Sequence, residues 1–171
     1  MASYDQGKDY VVNWIKENFD RYITILDVGA CDGKWRQLLN DFPNMDAVEI
    51  FEPNYRNIKC LYANAFNCDI SKHRYRHYDL IIFGDVIEHM TVKAAQKVLR
   101  YAKKHCACMI VAVPYLYEQG EINGNPWERH VQDDLTEELF NERYPGFTSL
   151  YKVDDKYEYF YMKGLSDGSQ L

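Results

Sequence analysis

The sequence predicts an α/β fold in which helices cover both faces of a mostly parallel sheet. Three observations support this fold class. Apolar runs rich in β-branched residues alternate along the chain with amphipathic segments, as in right-handed βαβ units. Two of the runs, "YITILDVG" and "YDLIIFGD", lack polar alternation, which is typical of strands covered on both faces. Near the end of the chain, "FTSLYKV" and "YEYFYMK" predict an antiparallel hairpin that joins the same sheet.

Each element has its own signal, in chain order. Apolar residues spaced by three and four predict a helix over 9–19, and continuous apolar runs predict strands over 22–29 and 45–51. Helices are expected over 34–42 and 53–62, and a third strand over 63–70. The next strand, 78–85, precedes a helix over 91–105 that Thr91 is placed to cap. A strand over 106–114 stops at Pro114. A helix over 135–144 and the strands 147–153 and 157–163 complete the set.

Length and composition favour one soluble domain. The chain has 171 residues and a net charge of −6, which argues against a nucleic-acid partner but leaves a local basic patch open. The five cysteines show neither disulfide nor zinc spacing, as expected for free thiols in the cytoplasm. No apolar run has membrane-spanning length. We expect a domain over 1–163 and a disordered tail over 164–171.

Acidic residues stand at four predicted strand ends. Asp27, Glu49, Asp69 and Asp85 each close one of the first four strands. Ligands of such sheets bind beyond the carboxyl ends of the strands, so four carboxylates at one edge favour a ligand site. For any one of them, capping of the following helix is an equally good explanation.

The turn after the first strand, in "ILDVGACDGKW", limits the kind of ligand. A dinucleotide-binding turn needs glycine at its first, third and sixth places, which are Gly29, Cys31 and Lys34 here. A pyrophosphate is therefore not expected. The spacing that the turn does satisfy is acid-x-Gly-x-x-x-Gly, with Asp27, Gly29 and Gly33.

This spacing resembles the first motif of the class I S-adenosylmethionine-dependent methyltransferases, of the small single-domain bacterial and phage type, and the likeness runs from about residue 20 to 163. It implies a Rossmann-like doubly wound sheet, S-adenosyl-L-methionine as cofactor and methyl transfer as the reaction. "YDLIIFGDVIEHM" is similar to the fourth-strand motif of the subgroup that ends in Glu-His. One departure is Cys31, where many relatives have a third glycine.

The resemblance also implies the cofactor contacts. Asp27 would approach the methionine ammonium, directly or through water, and Glu49 would accept both ribose hydroxyls. Asp69 and the Ile70 backbone would hold the adenine amino group, while Asp85 would face the methyl-bearing side. The full expected cofactor set is Asp27, Gly29, Ala30, Cys31, Gly33, Glu49, Ile50, Asp69, Ile70 and Asp85.

Candidate catalytic residues are His130, Asp85 and His89. The segment from Tyr115 to Asp134 is too long for an ordinary connector, which makes it a candidate substrate loop. Within it, "NGNPWERHVQDD" is similar to a Gly-Asn-Pro-aromatic-Glu-x-His stretch of small bacterial and phage methyltransferases. His130 is the leading candidate for a general base. A structural role stays open for both histidines.

Two alternatives concern metal and nucleic acid. Small-RNA 2′-O-methyltransferases bear a metal-binding Glu-x-x-Glu-His and a distal histidine, and Asp85, Glu88, His89 and His130 resemble that layout. The match is imperfect because Asp85 replaces a glutamate, and we expect no metal. The basic stretch "KHRYRHYD" is either a nucleic-acid contact or a solvated loop.

The expected function is methyl transfer to an O or N acceptor on a small molecule. The alternatives are an RNA or protein methyltransferase and a non-catalytic cofactor- or nucleotide-binding module. We expect neither a membrane nor a nucleic-acid partner. A homodimer is possible through the tyrosine-rich strand "YEYFYMK", if that strand lies at a sheet edge.

Overall fold

The structure, a computed structural model, describes residues 5–165. Its strands are β1 (Ile25–Val28), β2 (Met45–Glu49), β3 (Asn64–Asn67), β4 (Tyr78–Gly84), β5 (Cys106–Pro114), β6 (Thr148–Val153) and β7 (Tyr157–Lys163). Its helices are α1 (Lys8–Asn18), α2 (Lys34–Leu38), α3 (Glu52–Ile58), α4 (Val92–Lys103) and α5 (Glu137–Arg143). Three single 3₁₀ turns are found at Ile70–Lys72, Ile87–His89 and Pro126–Glu128.

The strands form one mixed sheet in the order β3-β2-β1-β4-β5-β7-β6. Strands β1 to β5 pair in parallel, and β7 lies antiparallel between β5 and β6. This arrangement confirms the predicted Rossmann-like class with its C-terminal antiparallel hairpin. Thr91 caps α4 as predicted, because its hydroxyl accepts the Ala94 N–H at 3.3 Å.

Apolar side chains of the central strands divide between two core layers. On β4, Leu80 and Ile82 belong to the layer covered by α1 and α2, while Ile81 and Phe83 belong to the layer under α4 and α5. A strand buried on both faces carries apolar residues at every position, which explains the unalternating run in the sequence. Because both faces of the sheet are covered in this way, the strand ends remain as the place for a ligand.

Two predictions about the end of the chain need correction. Strand β7 lies inside the sheet, so it offers no free edge for a dimer. The predicted disordered tail is wrong for its first two residues, because the N–H of Gly164 bonds the Ala107 carbonyl and that of Leu165 bonds the Lys103 carbonyl, each at 2.8 Å. The rest of that tail, 166–171, lies outside the described residues. Among residues 5–165, no helix combines the length and apolar composition that crossing a bilayer requires.

Candidate functional site

A cavity of about 700 Å³ opens beyond the carboxyl ends of β1, β2, β4 and β5. The side chains of Glu49, Asp69 and Asp85 all line it. Three of the four acids predicted from the strand ends therefore share one cavity. The parallel register explains this, because equivalent ends of neighbouring parallel strands meet at one edge.

The glycine turn forms one wall of the cavity. The N–H of Gly29 bonds the Val48 carbonyl at 2.8 Å, so the chain leaving β1 folds across the end of β2. Gly29 has φ +68°, and a Cβ there would lie 2.7 Å from Cγ2 of Val86. A side chain at this position would thus be both strained and in collision. Ala30 and Cys31 line the cavity, whereas Gly33 does not; it begins α2 with φ +78°.

Glu49 connects this turn to β2. One carboxylate oxygen accepts the Cys31 N–H at 2.8 Å and the other accepts the Phe51 N–H at 2.7 Å. Burial raises the pKa of Glu49, while these two N–H groups oppose the rise. The carboxylate is thus fixed in orientation on the cavity wall, and each oxygen keeps lone-pair capacity for a further donor.

Glu49→Ala should weaken S-adenosylhomocysteine binding about 30-fold to 150-fold, as expected for loss of about 2–3 kcal/mol from charge-assisted hydrogen bonds. Isothermal calorimetry on the folded variant measures this. Glu52→Ala is the matched control, because Glu52 lies nearby in sequence but does not line the cavity and should leave affinity unchanged. Unchanged affinity in Glu49→Ala would remove Glu49 from the cofactor site.

The direct ligand contact expected for Asp27 is not found. Its side chain is fully buried and does not line the cavity. One oxygen accepts the Tyr62 hydroxyl at 2.6 Å, and the other has no hydrogen-bond partner among the described residues. Burial raises the pKa of Asp27 to about 7. Asp27 therefore lies beneath the turn, where any effect on a ligand passes through the backbone.

Asp69 lines the cavity from the segment that follows β3. Its carboxylate accepts the Ser71 N–H at 2.8 Å and caps the 3₁₀ turn Ile70–Lys72. Capping, the alternative that the sequence left open, is therefore real at this position. Ile70 lines the cavity beside it, so the same turn presents a carboxylate and an apolar side chain to a ligand.

Asp85 follows β4 in the left-handed region, with φ +57°. Such a conformation is uncommon for a non-glycine residue and holds the side chain at a sharp change of direction. Burial and the neighbouring Asp85 carboxylate raise the pKa of Tyr157 well above its ordinary value. Tyr157 itself lines the cavity, although nothing in the sequence spacing pointed to it.

The segment from Tyr115 to Asp134 packs closely against the turn Ile87–His89. The Glu88 carbonyl accepts the N–H groups of Val131 and Gln132 at 2.8 and 3.0 Å. The buried side chain of Gln132 donates to the Ile87 carbonyl at 2.8 Å. These bonds join two segments that are more than 40 residues apart and bring His130 to the cavity.

The two histidines, His89 and His130, share one tautomer. Nδ1 of His130 lies 2.7 Å from the Tyr117 carbonyl, and Nδ1 of His89 lies 3.2 Å from the Arg129 carbonyl. A carbonyl oxygen only accepts, so Nδ1 carries the proton and Nε2 keeps its lone pair. Burial lowers the pKa of both rings, and their centroids are 4.8 Å apart.

Glu88 is the functional candidate that the sequence interpretation left outside its site. Its side chain has no solvent exposure, and neither carboxylate oxygen has a hydrogen-bond partner among the described residues. Burial and the nearby Asp85 raise its pKa well above the ordinary value. Potential ligand atoms of Glu88, His89 and His130 all lie within 4.8 Å of one another, which is compatible with a shared cation. The Glu-His pair in "VIEHM" was the available signal.

This sheet order and this position of the cavity define the class I S-adenosylmethionine-dependent methyltransferase fold, as comparison with solved structures shows. The chain is similar to an S-adenosylmethionine-dependent methyltransferase from Clostridium acetobutylicum, with 14% identity and a TM-score of 0.72 over 96% of this chain and 93% of that one. It is also similar to the N-terminal domain of EvdMO1, solved with S-adenosylhomocysteine and D-fucose (14%, TM-score 0.69, 95% and 85%). A third similar structure is the methyltransferase domain of a bacterial Hen1 protein (19%, TM-score 0.64, 93% and 98%).

No family model matches the sequence, and no curated protein matches it. The similarity therefore lies in the fold.

Proposed function

We propose that this protein transfers a methyl group from S-adenosylmethionine to an oxygen or nitrogen of a small molecule. The observation that carries the proposal is the single cavity at the strand ends, where Glu49, Asp69 and Asp85 converge beside a glycine turn. S-adenosylmethionine has an ammonium, a ribose diol and an adenine amino group, and carboxylates accept hydrogen bonds from all of them.

Each cavity residue has a place in this proposal. Glu49 accepts the ribose hydroxyls, with Ile50 beside it, while Asp69 and the Ile70 backbone hold the adenine. The turn over Gly29, Ala30 and Cys31 passes close to the methionine part, and Asp27 and Gly33 hold its conformation from below. The list of cofactor residues is otherwise the one that the sequence predicted.

The acceptor side lies at the other end of the cavity, among Asp85, His89, Tyr117 and His130. The loop over 115–134 covers this end, which suits a small acceptor better than a bulky one. Alignment of the acceptor atom with the methyl carbon and the sulfur supplies much of the rate. The acceptor lone pair forms the new bond to carbon, and the carbon–sulfur bond breaks to leave S-adenosylhomocysteine. Nε2 of His130 takes the acceptor proton.

A thermal-shift experiment tests the cofactor. S-adenosylhomocysteine at 100 times its Kd should stabilise the fold by about 2.7 kcal/mol, which corresponds to about 5–10 °C for a chain of this size. NAD and NADP should give no shift, because the turn lacks a pyrophosphate cradle. Release of S-adenosylhomocysteine in a screen of sugars, nucleosides and amines then identifies the acceptor. A shift with NAD alone would reject the proposal.

A second candidate function is metal-assisted methyl transfer to an RNA hydroxyl. The specific observation in its favour is the grouping of Glu88, His89 and His130, with a fully buried carboxylate that lacks partners among the described residues. Buried carboxylates normally have a partner, and a divalent cation is one that fits this donor set. The cation would hold the RNA hydroxyl and lower its pKa.

Chelation separates the two candidates. Because the first proposal uses His130 as a free base, methyl transfer should survive dialysis against EDTA. Calorimetric titration with Mn²⁺ should show no binding that Glu88→Gln abolishes. Activity that is lost with EDTA and restored by Mn²⁺ would establish the second candidate instead. Glu128→Gln is the matched control, since Glu128 lines the cavity but is not one of the three grouped residues.

A further inference from the structure

A second groove, of about 400 Å³, lies outside the candidate methyl-transfer site. It runs between the segment 70–75, which follows β3, and the outer face of α4. Ile70, Ser71 and Val98 line both this groove and the cavity, so the two are neighbours at the adenine end.

The groove concentrates positive charge on an acidic protein. Five of its lining residues are cations, and none of its lining residues is acidic, in a chain of net charge −6. All five are exposed, and within residues 5–165 none has an ion-pair partner. The five are Lys72, Arg74, Lys97, Arg100 and Lys104. Unpaired cations that converge on one concave surface attract a polyanion.

Two elements contribute these cations in a regular way. Lys97, Arg100 and Lys104 are spaced by three and four, which aligns them on one face at the C-terminal half of α4. Lys72 and Arg74 alternate with aromatic residues on the facing segment. Arg76, by contrast, is paired with the buried Asp46 at 2.8 Å and is not part of the groove.

Aromatic rings provide a second, independent observation. Tyr101 is 48% exposed in the groove, and its ring is 5.3 Å from that of Tyr75 and 4.5 Å from that of His105. The Tyr75 hydroxyl is buried and has no hydrogen-bond partner among the described residues. An exposed, supported ring between cations is a stacking surface for a nucleobase, and a buried hydroxyl without a partner is free to bond a phosphate or base.

We propose that this groove binds single-stranded nucleic acid, with phosphates on the five cations and a base on Tyr101. An anionic membrane shares the phosphate chemistry but also needs side chains that insert among acyl chains. The aliphatic residues of the groove, Ile70 and Val98, are buried and cannot do so. The proposal concerns binding and is independent of which acceptor is methylated.

Fluorescence anisotropy with a labelled 12-nucleotide oligouridylate at about 50 mM salt tests it on the full chain. The variant Lys97→Gln/Arg100→Gln/Lys104→Gln should bind about tenfold more weakly or worse. The slope of log affinity against log salt should fall by about 2, since each single-strand phosphate contact contributes about 0.7. Tyr101→Ser should reduce affinity about fivefold without changing that slope.

The matched control is Arg21→Gln/Lys59→Gln/Lys163→Gln, which removes the same charge from exposed cations outside the groove. It should bind like the unaltered protein. The proposal is overturned by absence of saturable binding, by equal weakening in both triple variants, or by a groove triple variant that binds normally. It is also overturned if vesicles containing phosphatidylserine bind and the oligonucleotide does not. The thermal shift with S-adenosylhomocysteine should be unaffected by these substitutions, so failure here is distinguishable from failure of the proposed function.

Discussion

Replacing His130 with alanine should reduce methyl transfer about 10²-fold to 10⁴-fold while leaving cofactor affinity nearly unchanged. The physical reason is that Nε2 of His130 lies free to take a proton, whereas its Nδ1 is bonded to the Tyr117 carbonyl. The proposed cofactor contacts come from β2 and the turn after β3, far along the chain from this loop. Single-turnover kinetics and calorimetry on the same protein separate the two effects.

Two further measurements show whether His130 is the base or only a packing residue. Added imidazole should partly restore turnover to His130→Ala in the presence of EDTA, because it replaces the missing base and the chelator removes any metal. His77→Ala is the control, since His77 lies outside the cavity. A variant with normal turnover would make His130 structural, and one that binds cofactor poorly would place it beside the cofactor.

Asp27→Asn should stabilise the protein by about 2–4 kcal/mol at pH 8 and have little effect at pH 4, since a pKa difference of one pH unit corresponds to about 1.4 kcal/mol. The pKa of Asp27 is raised from 3.8 to about 7 by burial. Between these values the folded state keeps a proton that the unfolded state has lost, so this carboxyl makes stability fall as pH rises from about 4 to 7. Above about pH 7 the penalty is constant. Asparagine preserves the shape and can still accept the Tyr62 hydroxyl.

Denaturant titrations at several pH values give this difference directly. Subtracting the variant from the unaltered protein isolates Asp27 from Glu49 and Glu88, whose raised pKa values act in the same direction. Tyr62→Phe is an informative second variant, because loss of the hydrogen bond to Asp27 should destabilise the protein by about 1 kcal/mol. Parallel pH profiles for Asp27→Asn and the unaltered protein would show that Asp27 is not titrating in this range.

The sequence alone was sufficient for the fold and for most of the cofactor side. Unalternating runs such as residues 78–85 reveal strands buried on both faces, because burial leaves a local mark at every position. The acids at Glu49, Asp69 and Asp85 follow such strands directly. In a parallel sheet this local placement is enough, since the topology brings the strand ends to one edge.

Tertiary structure alone decided the features that depend on long-range packing. The grouping of Glu88 and His89 with His130 requires a loop 40 residues away to pack on a 3₁₀ turn. Likewise, the groove needs α4 beside the segment 70–75, and β7 becomes an interior strand only when β6 pairs outside it. Asp27 shows the same limit within a motif, because its spacing fits a ligand contact but the packing of Tyr62 against it places the carboxyl under the turn. Periodicity reports whether a side chain is buried, and only the packed chain determines what lies against it.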